Sequence, residues 1–432
     1  MHRQVSSPAV DISVLVPVLN EGATIVEVVR AMGAQRFDGT IELLFADGRS
    51  TDDTVAQLEE LRRTDPRIRV LDNPRRGVAS GLNVCLRTAR GRYVARMDGH
   101  ALYPPTYLQD GVERLMRSES GAPKCRESGR MDRTEGESGK VAWVAGPQVP
   151  VLRGGPVAAA IVAALGTRMG QGGSRRWPGA HSDADEYELD TGVFCGVWRR
   201  EDVLAKGGWD EDWLCNEDSE LAARFLEAGQ RIVGLPDMAA GYFPRSSLPA
   251  LWHQYRAYGV YRAKTALRHP GSLRRSAVLP PLLVLDAAAS VVAPRRIRRL
   301  ALWGLGAYVI VLLAAAVEAV RGSGCETAVG EAANSEAGDG ESRNGKFGGG
   351  ESGGARPGSE GVGERKASHK TDYALIPAVL VTMHAAHGVG FLVGCVKWGV
   401  PWRALRLLAG GGGKPEPYSG PIEAPSLTGE QR

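Results

Sequence analysis

Short apolar runs alternate with longer periodic segments through the first 150 residues of the chain. Residues 12–17 are a β-branched run and predict a buried strand. Asn20-Glu21-Gly22 reads as a turn, and over residues 23–32 the apolar positions Ile25, Val28, Val29 and Met32 fall on one helical face. Residues 40–46 predict a second strand that ends at Asp47-Gly48. Ser50 or Thr51 is then a candidate cap, with Asp52 and Asp53 in the acidic first turn of the next helix. Residues 68–71 predict a third strand, residues 78–89 a helix, and residues 93–97 the strand that delivers Asp98. Residues 141–145 resume a buried strand, closed by Gly146-Pro147. Strand–helix alternation implies an α/β fold with a mostly parallel, Rossmann-like sheet. Ligands in such sheets bind at the carboxyl ends of the strands. Asp47 and Asp98 sit at such ends, and Glu21 lies a few residues past another.

The pattern changes twice further on. Residues 118–140 are polar, charged and glycine-bearing without apolar periodicity, which predicts a disordered insertion. Residues 300–317 are uncharged and apolar, long enough to span a bilayer, and residues 373–396 are uncharged although Pro377, His384 and His387 interrupt them. Residues 277–293 form a weaker run broken by Pro280, Pro281 and Asp286; that segment is re-entrant, interfacial or a true span. The expectation is two firm spans plus one membrane-associated segment, so two or three crossings. Arg295, Arg296, Arg298 and Arg299 favour the cytosolic side. The chain divides into a cytosolic catalytic domain over 1–270, membrane-associated residues 271–320, a disordered loop over 321–372, a transmembrane helix over 373–399 and a flexible tail over 400–432.

Composition narrows the function classes. At 432 residues the chain can bury a substantial core, and its net charge of +4 does not point to nucleic acid. Its six cysteines are scattered without a Cys-x-x-Cys pair, which argues against a zinc site or a disulfide framework. Residues 1–10 lack the apolar core of a secretory signal.

The candidate chemistry centres on Arg96-Met97-Asp98-Gly99-His100. On an extended strand, residues two apart point to the same side, so Asp98 and His100 would face one ligand. An oxygen and a nitrogen donor suit Mn²⁺ or Mg²⁺, which would hold a diphosphate; a strand end closed by a polar turn is the plainer account. Three segments then occur in order: Val16-Pro17-Val18-Leu19-Asn20-Glu21, Ala46-Asp47-Gly48-Arg49-Ser50-Thr51-Asp52 and Asp98-Gly99-His100. Together they resemble a family 2 glycosyltransferase with a GT-A nucleotide-sugar domain, here followed by C-terminal transmembrane helices. The succinoglycan-biosynthesis glucosyltransferase subgroup is similar in having a histidine after the aspartate and then an aromatic-proline pair, here Tyr103-Pro104.

That resemblance implies roles for particular residues. Pro17, Glu21, Asp47 and Asp98 would contact the nucleotide-sugar, and a carboxylate accepting the uracil imide N–H or ribose hydroxyls fits the chemistry. Asn83 is a further candidate that a polar helix face explains nearly as well. Asp98 and His100 would hold the divalent metal. Asn216-Glu217-Asp218-Ser219-Glu220-Leu221 resembles the family's Glu-Asp motif, which makes Asp218 the catalytic base, beside Glu217; an acidic helix N-terminus is the alternative. Leu251-Trp252-His253-Gln254-Tyr255-Arg256-Ala257-Tyr258-Gly259 resembles the Gln-x-x-Arg-aromatic motif of membrane-bound relatives, with Ala257 at the arginine position. Gln254, Arg256, Tyr258 and Arg262 are therefore candidates for diphosphate or acceptor contacts, and Lys264 is a further basic group within reach. Gly170 to Arg176 is either a lid over the donor diphosphate or a solvated basic loop. His384 and His387 in a membrane helix are functional groups or interhelical hydrogen-bonding partners.

The implied activity is a membrane-bound, inverting transfer of a hexose, glucose as the first guess, from a UDP-sugar to a lipid-linked saccharide in surface polysaccharide assembly. The implied partners are the UDP-sugar, the lipid-linked acceptor and membrane lipid, and the implied location is the cell (inner) membrane with the catalytic domain cytosolic. Two alternatives stay open: polyprenyl phosphate as the acceptor, or a non-catalytic nucleotide-sugar-binding scaffold.

Overall fold

A computed structural model describes residues 10–120, 139–177, 186–322 and 372–410. The β-branched runs form β1 (Ile12–Val18), β2 (Ile41–Asp47), β3 (Ile68–Asp72) and β4 (Tyr93–Arg96). Between them lie helices α1 (Ile25–Gly33), α2 (Thr54–Thr64) and α3 (Val78–Thr88). β1 pairs in parallel with both β2 and β4, and β2 pairs in parallel with β3. Ile12, Val14, Leu15 and Val16 of β1 have no exposed surface. A continuous apolar run rather than an alternating one is what a central parallel strand covered on both faces requires. α1 buries Ile25, Val28, Val29 and Met32, the predicted face.

The chain continues through β5 (Ala101–Leu102), α4 (Tyr107–Ser120), β6 (Val141–Ala145), β7 (Gln148–Pro150), α5 (Pro156–Gly166) and α6 (Arg168–Gln171). Then come β8 (Tyr187–Leu189), β9 (Gly196–Arg199), α7 (Arg200–Ala205), α8 (Glu217–Glu227), β10 (Arg231–Gly234) and β11 (Ala240–Tyr242). The main sheet has the order β3-β2-β1-β4-β9-β6-β10-β8, and β5, β11 and β7 form a small second sheet. β9 runs antiparallel between β4 and β6, while β6 and β10 are parallel. The antiparallel insertion brings the segment before β9 to the carboxyl end of β4, where Gly196 pairs with Arg96.

Two local expectations change. Ser50 and Thr51 do not cap α2; Asp53 occupies that position, and Ser50 turns back to Asp47 and Asn20. Residues 118–120 complete α4, where Glu119 bonds Arg92 and Arg199. The rest of the expected insertion, 121–138, and the expected loop and tail at 323–371 and 411–432 lie outside the described residues.

The last part of the chain is helical: α9 (Leu248–Arg268), α10 (Arg275–Val292), α11 (Arg295–Gly322), α12 (Ile376–Trp398) and α13 (Trp402–Leu408). Three helices, Arg275–Val292, Arg295–Arg321 and Tyr373–Trp398, are long and apolar enough to cross a membrane. The weak segment at 277–293 is thus an unbroken helix that includes Pro280 and Pro281. Close packing on a glycine accompanies the prolines: a side chain on Gly388 of α12 would start 2.3 Å from the Pro280 carbonyl oxygen.

α9, the last helix of the expected 1–270 unit, is clasped to α12. First side-chain carbons on Gly259 and Gly390 would lie 2.1 Å and 2.0 Å from the carbonyl oxygens of His387 and Arg256. Small residues let helix backbones approach this closely. A second apolar core joins Ile161 and Leu165 of α5, Leu251 of α9, Leu312 of α11 and Val379, Leu380 and Met383 of α12. α5 and α9 therefore share one core with the long apolar helices α11 and α12.

Candidate active site

The loops after β1 and β2 are sewn together by backbone and side-chain hydrogen bonds. Asn20, with φ of 57°, donates its N–H to Ser50 Oγ at 2.9 Å, and its Oδ1 accepts from the Thr51 N–H at 2.8 Å. The Glu21 N–H donates to Thr54 Oγ1 at 2.8 Å, and the Gly22 N–H to Asp52 Oδ2 at 3.0 Å. Asp47 accepts the Ser50 hydroxyl at 2.6 Å and the Ser50 N–H, a local turn that holds its carboxylate at the strand end. Pro17 is half-buried beside it, its ring carbon 3.1 Å from where a side chain on Gly81 would start.

β4 stops at Arg96, so Asp98 and His100 lie in the turn after the strand rather than on it. Their side chains engage different partners. Arg96 Nε and Nη2 donate to the two Asp98 oxygens at 2.8 Å and 3.1 Å. His100 Nδ1 lies 3.0 Å from Glu21 Oε1, which ties the β1 loop to the β4 loop. Bonding to Glu21 raises the imidazole pKa, with the Asp98 charge adding to it against burial. The Tyr103 hydroxyl accepts the Asp98 N–H at 2.7 Å.

Arg96 is the residue that reading the sequence missed. Its third nitrogen, Nη1, donates to Glu217 Oε1 at 2.9 Å, so one guanidinium joins the turn after β4 to the first turn of α8. Arg96 is 4% exposed, Glu217 7% and Asp98 7%, so the bridge is shielded from water. Burial disfavours the Arg96 charge, but Asp98 and Glu217 outweigh it and hold its pKa well above the usual arginine value. Burial, with Asp218 as a neighbouring charge, pushes the Glu217 carboxyl up against the pull of Arg96. A charged residue inside the apolar run Tyr93-Val94-Ala95 was the available signal, because a buried arginine in a strand requires carboxylates.

Asp218 follows Glu217 in the first turn of α8, and its Oδ1 accepts the Ser219 N–H at 2.7 Å. Asn216 before it is left-handed, with φ of 61°, which turns the chain sharply into the helix. Gly192 is fitted against this turn: a side chain there would start 2.3 Å from the Asp218 carbonyl oxygen.

Asn83 packs against the loop at Trp209. It is 2% exposed, and its amide brackets Trp209, accepting from the N–H at 2.9 Å and donating to the carbonyl at 2.8 Å. In α9, Gln254 donates to the Tyr258 hydroxyl at 2.9 Å, and Arg256 is exposed. Lys264 donates to the Asp212 carbonyl and lies 3.8 Å from the Trp213 ring centre. Arg262 alone of these basic residues borders a cavity lined by α6, α9 and the apolar helices α10, α11 and α12. The Gly170–Arg176 stretch also borders that cavity. His384 makes an interhelical bond, its Nδ1 lying 2.8 Å from the Tyr308 hydroxyl.

Asp98 and His100 each keep a lone pair that a hard divalent cation could use. Each Asp98 oxygen accepts one hydrogen bond from Arg96 and keeps a second lone pair. His100 is exposed, and a proton on Nδ1 directed to Glu21 leaves the Nε2 lone pair outward, the usual carboxylate–histidine–metal arrangement. No group of three or more His, Cys, Asp or Glu converges among the described residues, so phosphate oxygens and water would complete the shell, as is usual for Mg²⁺.

Comparison with known proteins agrees with this geometry. Residues 13–139 match the description "Glycosyl transferase family 2". The chain is 30% identical over 258 residues to the succinoglycan biosynthesis protein ExoA of Rhizobium meliloti, covering 59% of this chain and 70% of that one. The chain belongs to glycosyltransferase family 2. It is an enzyme of the glycosyltransferase class, and its mixed sheet is the GT-A fold. A second relative is the Methanococcus voltae dolichyl N-acetyl-alpha-D-glucosaminyl phosphate 3-beta-D-2,3-diacetamido-2,3-dideoxy-beta-D-glucuronosyltransferase, 22% identical over 58% of this chain and 72% of its own. Among solved structures, the Pyrobaculum calidifontis mannosyltransferase in complex with GDP-Man and Mn²⁺ aligns at a TM-score of 0.42 with 20% identity, over 71% of this chain and 81% of that one.

Proposed function

We propose that this family 2 glycosyltransferase moves a hexose, glucose as first choice, from a UDP-sugar to a lipid-linked saccharide with inversion at the anomeric carbon. The observation that carries this reading is the Arg96 bridge, which links Asp98 to Glu217 and so sets Asp218 beside the strand ends. Glu21 and Asp47, with Pro17, receive the nucleoside at the ends of β1 and β2. Asp98 and His100 hold Mn²⁺ or Mg²⁺. The metal, when bound, neutralises the departing diphosphate. Asp218 takes the proton from the acceptor hydroxyl with its outer oxygen, while Oδ1 stays fixed by the Ser219 N–H. Arg96 holds both carboxylate-bearing turns in register and does not touch the reacting atoms.

A role in surface polysaccharide assembly is supported by the ExoA relative, named for succinoglycan biosynthesis. A lipid-linked acceptor is supported by the dolichyl-linked substrate in the name of the Methanococcus relative. The three apolar helices support a multi-pass protein of the cell (inner) membrane, with the 1–270 catalytic unit on the cytosolic face.

The test is UDP release from a panel of UDP- and GDP-sugars, with Mn²⁺ or with EDTA, for wild type and Asp218→Asn in membranes. Metal-dependent release from one UDP-hexose, lost in the variant, is the expected result. Release that ignores both EDTA and Asp218→Asn overturns the assignment.

A further inference from the structure

A cavity of about 1050 Å³ is lined by α6, α9 and the apolar helices α10, α11 and α12. Its two ends differ in chemistry. One end is bordered by Arg176, Arg262 and Arg274, with Ser174 and Trp177 beside them. The other runs along α10, from Ala277 past Leu279 and Leu283 to Ala289, and is closed by Val311 of α11 and Met383 of α12. At 1.5 Å per residue that stretch of α10 is about 18 Å long.

Among the described residues the basic end has fewer carboxylates than arginines. Arg274 pairs with Asp190, but no carboxylate pairs with Arg176 or Arg262 among the described residues. Burial and the neighbouring Arg176 push the Arg262 pKa down to about 10, partly offset by Asp218. Ser174 and Trp177 flank the arginines on the cavity wall. Guanidinium groups without carboxylate partners among the described residues call for an anion with several acceptor oxygens. The one carboxylate on the cavity wall besides these, Asp286, is on α10 about 17 Å beyond the helix start, away from the arginines.

The basic end also adjoins the candidate base. Thr191 borders the cavity and its hydroxyl donates to Ser219 Oγ at 3.4 Å, and the next residue, Gly192, packs on the Asp218 backbone. A sugar attached to an anion held at the arginines would extend toward Asp218.

We propose that this cavity seats the acceptor as a single-chain lipid diphosphate, its head on Arg176, Arg262 and Arg274 and its tail along α10 between the membrane helices. The inference deepens the function proposed above and rests on it for the acceptor's role. The mostly apolar wall along α10 suits a prenyl tail, and competition by a two-chain phospholipid is an outcome of the test. The Gly170–Arg176 stretch is then a wall of the acceptor site rather than a cover on the donor.

The test uses the full chain in phosphatidylcholine nanodiscs, without donor or metal, and labelled geranylgeranyl diphosphate as probe. Competitors are geranylgeraniol, inorganic diphosphate and phosphatidylglycerol. The expected result is saturable binding at least tenfold tighter than either inorganic diphosphate or geranylgeraniol. Arg176→Gln with Arg262→Gln should weaken it at least tenfold. Leu283→Trp, which fills the apolar end, should weaken the prenyl probe and leave inorganic diphosphate unchanged; this arm stands even if the arginine pair fails to fold. Equal binding of inorganic diphosphate, equal competition by phosphatidylglycerol, or indifference to both variants overturns the proposal. Donor hydrolysis read on the same samples separates the two readings: hydrolysis without lipid binding sinks only this inference, and lipid binding without hydrolysis sinks only the donor assignment.

Discussion

The strand-end site and the arginine-lined cavity are built on opposite plans. The first gathers residues from consecutive loops of one sheet, and its polar groups are nearly all engaged with one another, as in the Asn20–Ser50 and Arg96–Asp98–Glu217 contacts. The second gathers residues from α6 and its following turn, α9, α10, α11 and α12, and among the described residues Arg176 and Arg262 have no carboxylate partner there. The difference teaches what each site needs. A site whose geometry must be held for in-line transfer is fixed in advance by internal hydrogen bonds. The proposed lipid site is instead lined by arginines and apolar side chains from several helices.

The largest effect that would break this comparison is at Asp218. Asp218→Asn should reduce transfer by about 10²–10⁴-fold while UDP-sugar binding, read by equilibrium dialysis, stays within a few fold. Comparable loss of binding would place Asp218 in the donor site instead.

Next is the bridge. Arg96→Met should leave Asp98 and Glu217 buried without their cation and cost about 3–5 kcal/mol of stability, read as a drop in the denaturant midpoint. A soluble, fully active variant would show that the two turns are held by other contacts.

The clasp between α9 and α12 comes third. Gly390→Leu has its first side-chain carbon 2.0 Å from the Arg256 carbonyl oxygen, so the helices must separate. A cost of about 1–3 kcal/mol is expected from overpacking, seen as a lower melting temperature and faster proteolysis at α9. No change in either would mean the shared core is dispensable.

The smallest effect sharpens the contrast by pH. His269, 3% exposed at the end of α9, lies 2.8 Å from Glu227 and 3.3 Å from Glu220 of α8. Burial works against its charge, but bonds to Glu220 and Glu227 outweigh it and raise its pKa. A raised histidine pKa contributes stability that is fully present below the unfolded value, about 6.5, and is lost as pH rises through the folded value. His269→Gln should therefore cost more stability in acid than in alkali, read as denaturant midpoints at the two pH values. An equal loss at both would mean that the ring acts by packing alone.

Legibility in the sequence followed the same division. The face of α1, the four leading strands and the placing of Asp47 and Glu21 near strand ends came from periodicities of two and 3.6 residues, which are local. The Asp98–His100 pair was legible as a pair, but not its partners. Alternation assumed the strand continued, whereas β4 ends at Arg96 and a turn redirects both side chains. The partner of Asn83 was hidden for the same reason, since Trp209 is distant in sequence and meets it only when α3 packs beside that loop.

The sequence by itself determined the alternating strands and helices, the carboxylates at their ends and the apolar helices near the C-terminus, because burial period and hydropathy are properties of neighbouring residues. Only the tertiary structure decided which charges meet. Arg96 reaches Glu217 because β9 enters antiparallel and carries the α8 region alongside β4. Arg262, rather than Arg256, reaches the cavity because the glycines of α12 draw α9 close and fix which of its faces points inward. Electrostatic and steric contacts across more than a hundred residues depend on how elements dock, and no local pattern carries that.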